Sequence, residues 1–147
     1  MPRASMWLIR LSLLYLAAGA AIGALMLVGK AGGRLGWTLA LRPAHQDLLI
    51  AGWMLQLVFG VAFWILPRLP ERSRSEGTPR LVVVAVLLNA GVLAAAWGGV
   101  AAEPALAAGG RAAQLAAALL FATIAWRRIR RYGLGAEAAR LSGPGGH

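Results

Sequence analysis

Residues 41–68 read LRPAHQDLLIAGWMLQLVFGVAFWILPR. Between an Arg-Pro pair at its head and a Pro-Arg pair at its foot, the run from Ala44 to Leu66 carries a single formal charge, Asp47. A helix needs about twenty apolar residues to cross the hydrocarbon core of a bilayer, and this run supplies them without a polar face. It predicts a membrane-spanning helix that starts near a histidine and stops before a proline.

Three other stretches have the same character: Met6 to Gly29, Leu81 to Val100 and Ala107 to Trp126. The breaks between the four carry turn and charge signals: GKAGGR at 29–34, LPRLPERSRSEGTPR at 66–80 and AAEPALAAGGR at 101–111. The expected fold is all-α, an integral membrane four-helix bundle over residues 1–132. Residues 133–147, polar and rich in glycine, are expected to form a flexible tail. The first apolar run is longer than a signal-peptide core, so it is expected to remain as an anchor helix.

Composition agrees with a membrane protein. Of the 147 residues 59% are hydrophobic, and mean hydropathy is +0.66. The absence of cysteine excludes disulfides, thiolate metal sites, iron–sulfur clusters and covalent c-type heme attachment. A net charge of +10 raises the question of nucleic acid, but the arginines flank apolar runs and form no continuous basic face. No nucleic-acid partner is expected.

The positive-inside rule accounts for those charges instead. Eleven arginines, Arg3, Arg10, Arg68, Arg72, Arg74, Arg80, Arg127, Arg128, Arg130, Arg131 and Arg140, fall on one side of the spans, against Lys30, Arg34, Arg42 and Arg111 on the other. Both termini are therefore expected in the cytoplasm, in a multi-pass protein of the cytoplasmic membrane, with His45 near the outer surface.

From His45, steps of seven, eleven and fifteen residues reach Gly52, Gln56 and Gly60. At 100° per residue these share one helix face, flanked by Leu48, Leu49, Phe59 and Phe63. Two readings stand for this stripe. The glycines leave a notch with apolar walls in which a flat apolar ligand fits, or they let a neighbouring helix pack closely while Gln56 bonds across the contact.

The same 28 residues resemble the second helix of the catalytic subunit of heme-copper oxidases, in particular the C-type cytochrome c oxidases and nitric oxide reductases, and are similar to the NnrS proteins. The pattern is Arg-Pro, one residue, His, a glycine-spaced apolar helix, and a Pro-Arg exit. By motif, Arg42, Pro43 and His45 match the entry, Gly52 a glycine on the heme side, and Pro67 with Arg68 the exit. The resemblance implies that His45 is an axial ligand of a low-spin heme b near the outer face. It stops at residue 68, and the chain holds no other internal histidine, so a heme-copper oxygen-reducing centre is excluded for this chain alone.

A six-coordinate heme needs a second axial ligand, for which Met6, Met26 and Met54 are poor candidates. Two copies of His45 across a twofold axis would supply it, making the heme part of a homodimer or higher oligomer. A five-coordinate heme open to a gas is the alternative. Arg42, Arg34 and Lys30 are candidate partners for the propionates, with Trp37 and Trp53 at the rim. The competing role for these residues is anchoring helix ends among lipid headgroups. Asp47 is read as a helix cap, a partner of Arg42 or an orienting group for the imidazole, with capping favoured.

Elsewhere, Tyr15, Gly19, Gly23 and Leu27 step by four along the first helix and read as a packing motif. Asn89 is expected to find a partner across a helix contact, and Arg111 to pair with Glu103 or reach a propionate. WRRIRR at 126–131 marks the inner boundary and attracts anionic lipid. The functional expectation is a heme b-binding membrane module for electron transfer or for gas or heme sensing. The alternatives are a non-catalytic subunit or assembly partner of a respiratory complex, and a small-solute transporter or channel. The last is disfavoured because no span holds a buried acidic residue.

Overall fold

The computed structural model describes residues 3–32, 36–66 and 71–141, with side chains for all of these except 71–78 and 131–141. Among those residues it is helical apart from Leu66 and the turn at 101–103, with no strand. Helix α1 is Arg3–Gly32, α2 is Gly36–Ile65, α3 is Glu71–Val100 and α4 is Pro104–Leu141. Each contains a segment long and apolar enough to cross a membrane, so the chain is a multi-pass membrane protein.

The helix ends differ from those expected of the sequence. Helix α2 begins eight residues before Ala44, with a 3₁₀ stretch over Gly36–Leu41 that runs into Arg42–Asp47. Most of the break expected at 66–80 is helix, starting at Glu71 and passing through Pro79. Charged residues at the end of a span can go on forming a helix in water, and this one continues through Pro79 although the ring removes a hydrogen bond and crowds the preceding turn. The break expected at 101–111 shrinks to a turn at Ala101–Glu103, because Pro104 fits the first position of a helix, where no amide hydrogen is needed. Helix α4 runs on to Leu141, into the segment expected to be a flexible tail; residues 142–147 lie outside the described residues.

The turn between α3 and α4 has a specific geometry. The amide of Glu103 donates to the carbonyl of Gly98 at 2.8 Å, closing α3 over Ala102, whose φ is 57°. This is a Schellman-type end with alanine where glycine is the usual occupant.

Helices α3 and α4 form a close antiparallel pair along a seam of small residues. A Cβ on Gly91 would lie 2.7 Å from the Gly110 carbonyl oxygen, and one on Gly98 would lie 2.5 Å from the Ala107 amide nitrogen. With no hydrophobic force between helices in lipid, such backbone approach and van der Waals contact are what hold the pair. Gln114 donates to the Gly91 carbonyl at 3.3 Å across the same seam.

Helix α2 lies between α1 and the α3–α4 pair. Its Phe59 stacks on Phe121 of α4 with centroids 4.1 Å apart. One turn on, the Arg128 guanidinium sits 3.8 Å over the Phe63 ring and donates to the Phe63 carbonyl at 3.2 Å. That carbonyl belongs to the last turn of α2, where no intrahelical partner exists, so Arg128 closes the helix end with a charge of the favourable sign. Leu66, with ψ 139°, leaves the helix in the extended conformation required before a proline.

Tryptophans sit near the ends. Trp7, Trp64 and Trp126 are exposed at the end that carries Arg3, Arg10, Arg80, Arg127, Arg128 and Arg130, and Trp37 and Trp97 are exposed at the His45 end. Amphipathic rings at both ends match the two interfacial belts of a membrane protein.

Candidate functional site

The wall of α2 that faces α1 carries the stripe. A π-helical segment, Leu48–Leu55, interrupts the α-helix one turn past His45. Its wider turn brings Leu48 and Leu49 onto one spot of α1: a Cβ on Gly19 would lie 2.6 Å from Leu49 Cδ2 and 3.6 Å from Leu48 Cβ. Such turns are rare and recur at functional sites.

His45 is half-buried against α1, where its Nδ1 lies 2.8 Å from the Gly19 carbonyl oxygen. A carbonyl only accepts, so Nδ1 carries the proton and donates, and in the neutral ring the lone pair sits on Nε2. Gly23 makes the approach possible: a Cβ there would stand 2.6 Å from His45 Cε1. Two glycines of α1 therefore set the position and the tautomer of this imidazole. A metal-binding histidine is usually held in this way, by donation of the second ring N–H to a carbonyl or carboxylate.

Below His45 the stripe is filled by α1 and leaves no slot. A Cβ on Gly52 would meet Tyr15 Cγ at 2.7 Å, and one on Gly60 would meet Ile9 Cγ1 at 2.9 Å and Leu8 Cβ at 3.2 Å. Gln56, fully buried, donates to the Leu8 carbonyl at 3.3 Å; its Oε1 and the Ser5 hydroxyl are buried without a hydrogen-bond partner. The notch expected from the glycines is the channel in which α1 lies, and of the two readings of Gly52, Gln56 and Gly60 the helix contact is the one present. Phe59 and Phe63, expected as walls of the same groove, turn to α4 instead.

Tyr15 crosses over Gly52 and donates to Asn89 Oδ1 on α3 at 2.8 Å, while Asn89 Nδ2 donates to the Ala85 carbonyl at 2.7 Å. Asn89 thus has the interhelical partner its mid-span position calls for. The choice of Tyr15 as that partner was not legible, because the step of four along α1 reads only as packing.

The remaining candidates lie nearer the surface. Arg42 and Lys30 are exposed, as is Trp37, and Trp53 is half-buried. Arg34, Pro67 and Arg68 lie outside the described residues. Asp47 neither caps the helix with its side chain nor orients His45; its Oδ2 lies 3.6 Å from Arg111 Nη2 on α4. The Arg111 charge is drawn to this carboxylate, in place of the Glu103 pairing expected. Asp47 is mostly shielded and Arg111 is more than half exposed, so the pair contributes at the modest scale of partly solvated ion pairs.

Among the described residues no three His, Asp or Glu side chains converge as a metal site. For heme iron, the arrangement fits at the axial position and does not fit at the seat. The His45 ring is oriented with one nitrogen tied back, as a ligand requires. The stripe beneath it is packed with Tyr15, Leu8 and Ile9, so no porphyrin lies between α1 and α2. In comparisons with family models, curated proteins and solved structures, nothing matches the chain.

Proposed function

We propose that this protein is a heme b-binding module of the cytoplasmic membrane, with His45 supplying one axial ligand through Nε2 at the outer face and both termini inside. The observation that carries this reading is the Nδ1 contact of His45 with the Gly19 carbonyl, which fixes the tautomer with its lone pair on Nε2. The likeness of residues 41–68 to the heme-bearing helix of the oxidases supports it. The excess of arginine at one end supports the orientation.

Because the α1–α2 contact is filled, the ring would lie outside it, where Arg42 and Lys30 would offer cations for propionates and Trp37 and Trp53 apolar surface. A second ligand would come from the His45 of another copy, in a homodimer. When bound, the group would supply a one-electron couple or a gas-binding iron; the chain's own residues orient the ligand and hold the helices around it.

Titration of purified protein with hemin in detergent tests this. A Soret band that saturates at about one heme for two chains is the expected result for a ligand pair across a twofold axis. Protein that stays colourless with hemin present overturns the reading.

A second reading is favoured by the filled stripe. A small non-catalytic subunit that packs against a larger respiratory complex needs only the helix contacts described, with His45 as a bond between α1 and α2. Co-purification of such a complex with wild-type and His45→Ala protein alike, without pigment, supports it.

A further inference from the structure

We infer that the π-helical turn Leu48–Leu55 is the element that aims His45, by adding to α2 the extra residue that lets its outer end face α1 and α4 at the same time. The heading of the imidazole is read on protein without hemin, so its test is separate from that of iron ligation.

The inner half of α2 fixes the frame. With the heading of Gln56 as zero and about 100° per residue, Gly60 lies near +40°, Phe63 near −20° and Phe59 near −60°. The contacts follow these headings: Gln56 and Gly60 meet α1, while Phe63 and Phe59 meet Arg128 and Phe121 of α4. Positive headings therefore point to α1 and negative ones to α4.

Carried outward as an unbroken α-helix, the same count sends His45 to about −20°, onto the heading of Phe63, and Asp47 to about 180°, away from the bundle. Neither matches the contacts. His45 Nδ1 lies 2.8 Å from the Gly19 carbonyl oxygen on α1, and Asp47 Oδ2 lies 3.6 Å from Arg111 Nη2 on α4.

A π turn closes its hydrogen bonds over five residues instead of four, so the segment takes up about one residue more than an α-helix of equal rotation. Dropping that residue from the count turns the outer end by about 100°. His45 then falls near +80°, beyond Gly60 on the α1 side, and Asp47 near −80°, beyond Phe59 on the α4 side, both at roughly the positions the contacts require. Ala44 comes to about −20° by the same count, and it is buried. One extra residue accounts for these positions together. It also turns the only acidic side chain between Ala44 and Leu66 toward Arg111 and away from lipid, where an unpaired carboxylate is costly.

The number of residues in the segment is therefore expected to matter, and the side chain of Ile50 is not. Ile50 is exposed, so deleting it removes little packing. NMR of the full chain in detergent with isotope-labelled histidine, in a His147→Gln background, reports one imidazole. The wild type is expected to show a protonated, exchange-protected Nδ1 and a bare Nε2. Ile50→Ala keeps the count and is expected to retain that pattern. Deletion of Ile50 is expected to abolish the Nδ1 protection, because Gln56, Phe59 and Phe63 hold the inner half and the outer end is the part that turns. One alanine inserted after Asp47 in the deletion variant restores the count and is expected to restore the pattern, also where the deletion alone fails to fold. Protection that survives the deletion, is lost equally in Ile50→Ala, or does not return with the insertion overturns the proposal.

Discussion

The Tyr15 hydroxyl donates to Asn89 Oδ1 at 2.8 Å, and the tyrosine ring reaches it by lying across Gly52. One side chain thereby joins α1, α2 and α3, and it does so only because the middle helix has no side chain at the crossing point. Interhelical hydrogen bonds in membranes contribute about 0.6 kcal/mol on average, up to about 1.7. Tyr15→Phe is expected to cost that much. Gly52→Ala is expected to cost more, about 1–3 kcal/mol, because the ring itself must move. Unfolding in mixed micelles measures both, and equal stability of Gly52→Ala and wild type would contradict the packing described.

The glycines are not equivalent. Gly23→Ala pushes a methyl group to within 2.6 Å of His45 Cε1, while a Cβ on Gly109 meets nothing within 4 Å. Gly23→Ala is expected to break the His45–Gly19 contact, which shows as a change in the imidazole nitrogen resonances. Gly109→Ala lies mid-helix and is expected to stabilise by about 0.5–1 kcal/mol through its backbone entropy.

Gln56 separates the two readings of the stripe. Its amide makes one long bond, to the Leu8 carbonyl at 3.3 Å, and its Oε1 is buried without a partner. An apolar side chain of similar shape removes that desolvation cost, so Gln56→Met is expected to be neutral or stabilising by about 1 kcal/mol. Pigment content is expected to be unchanged in this variant, because Gln56 faces α1 and not a ring.

Ala102 has a φ of 57° in the turn between α3 and α4. A non-glycine residue in the left-handed region costs about 1 kcal/mol, so Ala102→Gly is expected to recover part of it. A higher melting temperature in detergent, with an unchanged helical spectrum, is the expected outcome; a lower one would contradict the turn geometry.

How much of this was legible in the sequence follows from what each signal measures. Hydropathy over twenty residues is a bulk property of the solvent, and it revealed the four spans. Helix ends in water are decided by weaker terms, and there Glu71 to Arg80 and the residues after Arg131 proved helical. The stripe of His45, Gly52, Gln56 and Gly60 was legible as a face, but periodicity cannot say whether a ligand or a helix fills a notch. Tyr15, Leu8 and Ile9 do. The Asp47–Arg111 pair spans 64 positions in the chain, and no local pattern announces it. The Gly19 carbonyl as the partner of His45 is a backbone group, which carries no residue-type signal at all.

The proposed ligation of heme iron by His45 Nε2 is open to a spectroscopic test. Reduced-minus-oxidised difference spectra of wild-type and His45→Ala protein, purified from the same membranes, test it most directly. A sharp α band is expected in the wild type, abolished by His45→Ala and kept by Gln56→Met. A featureless spectrum in the wild type, or an α band that survives His45→Ala, contradicts it.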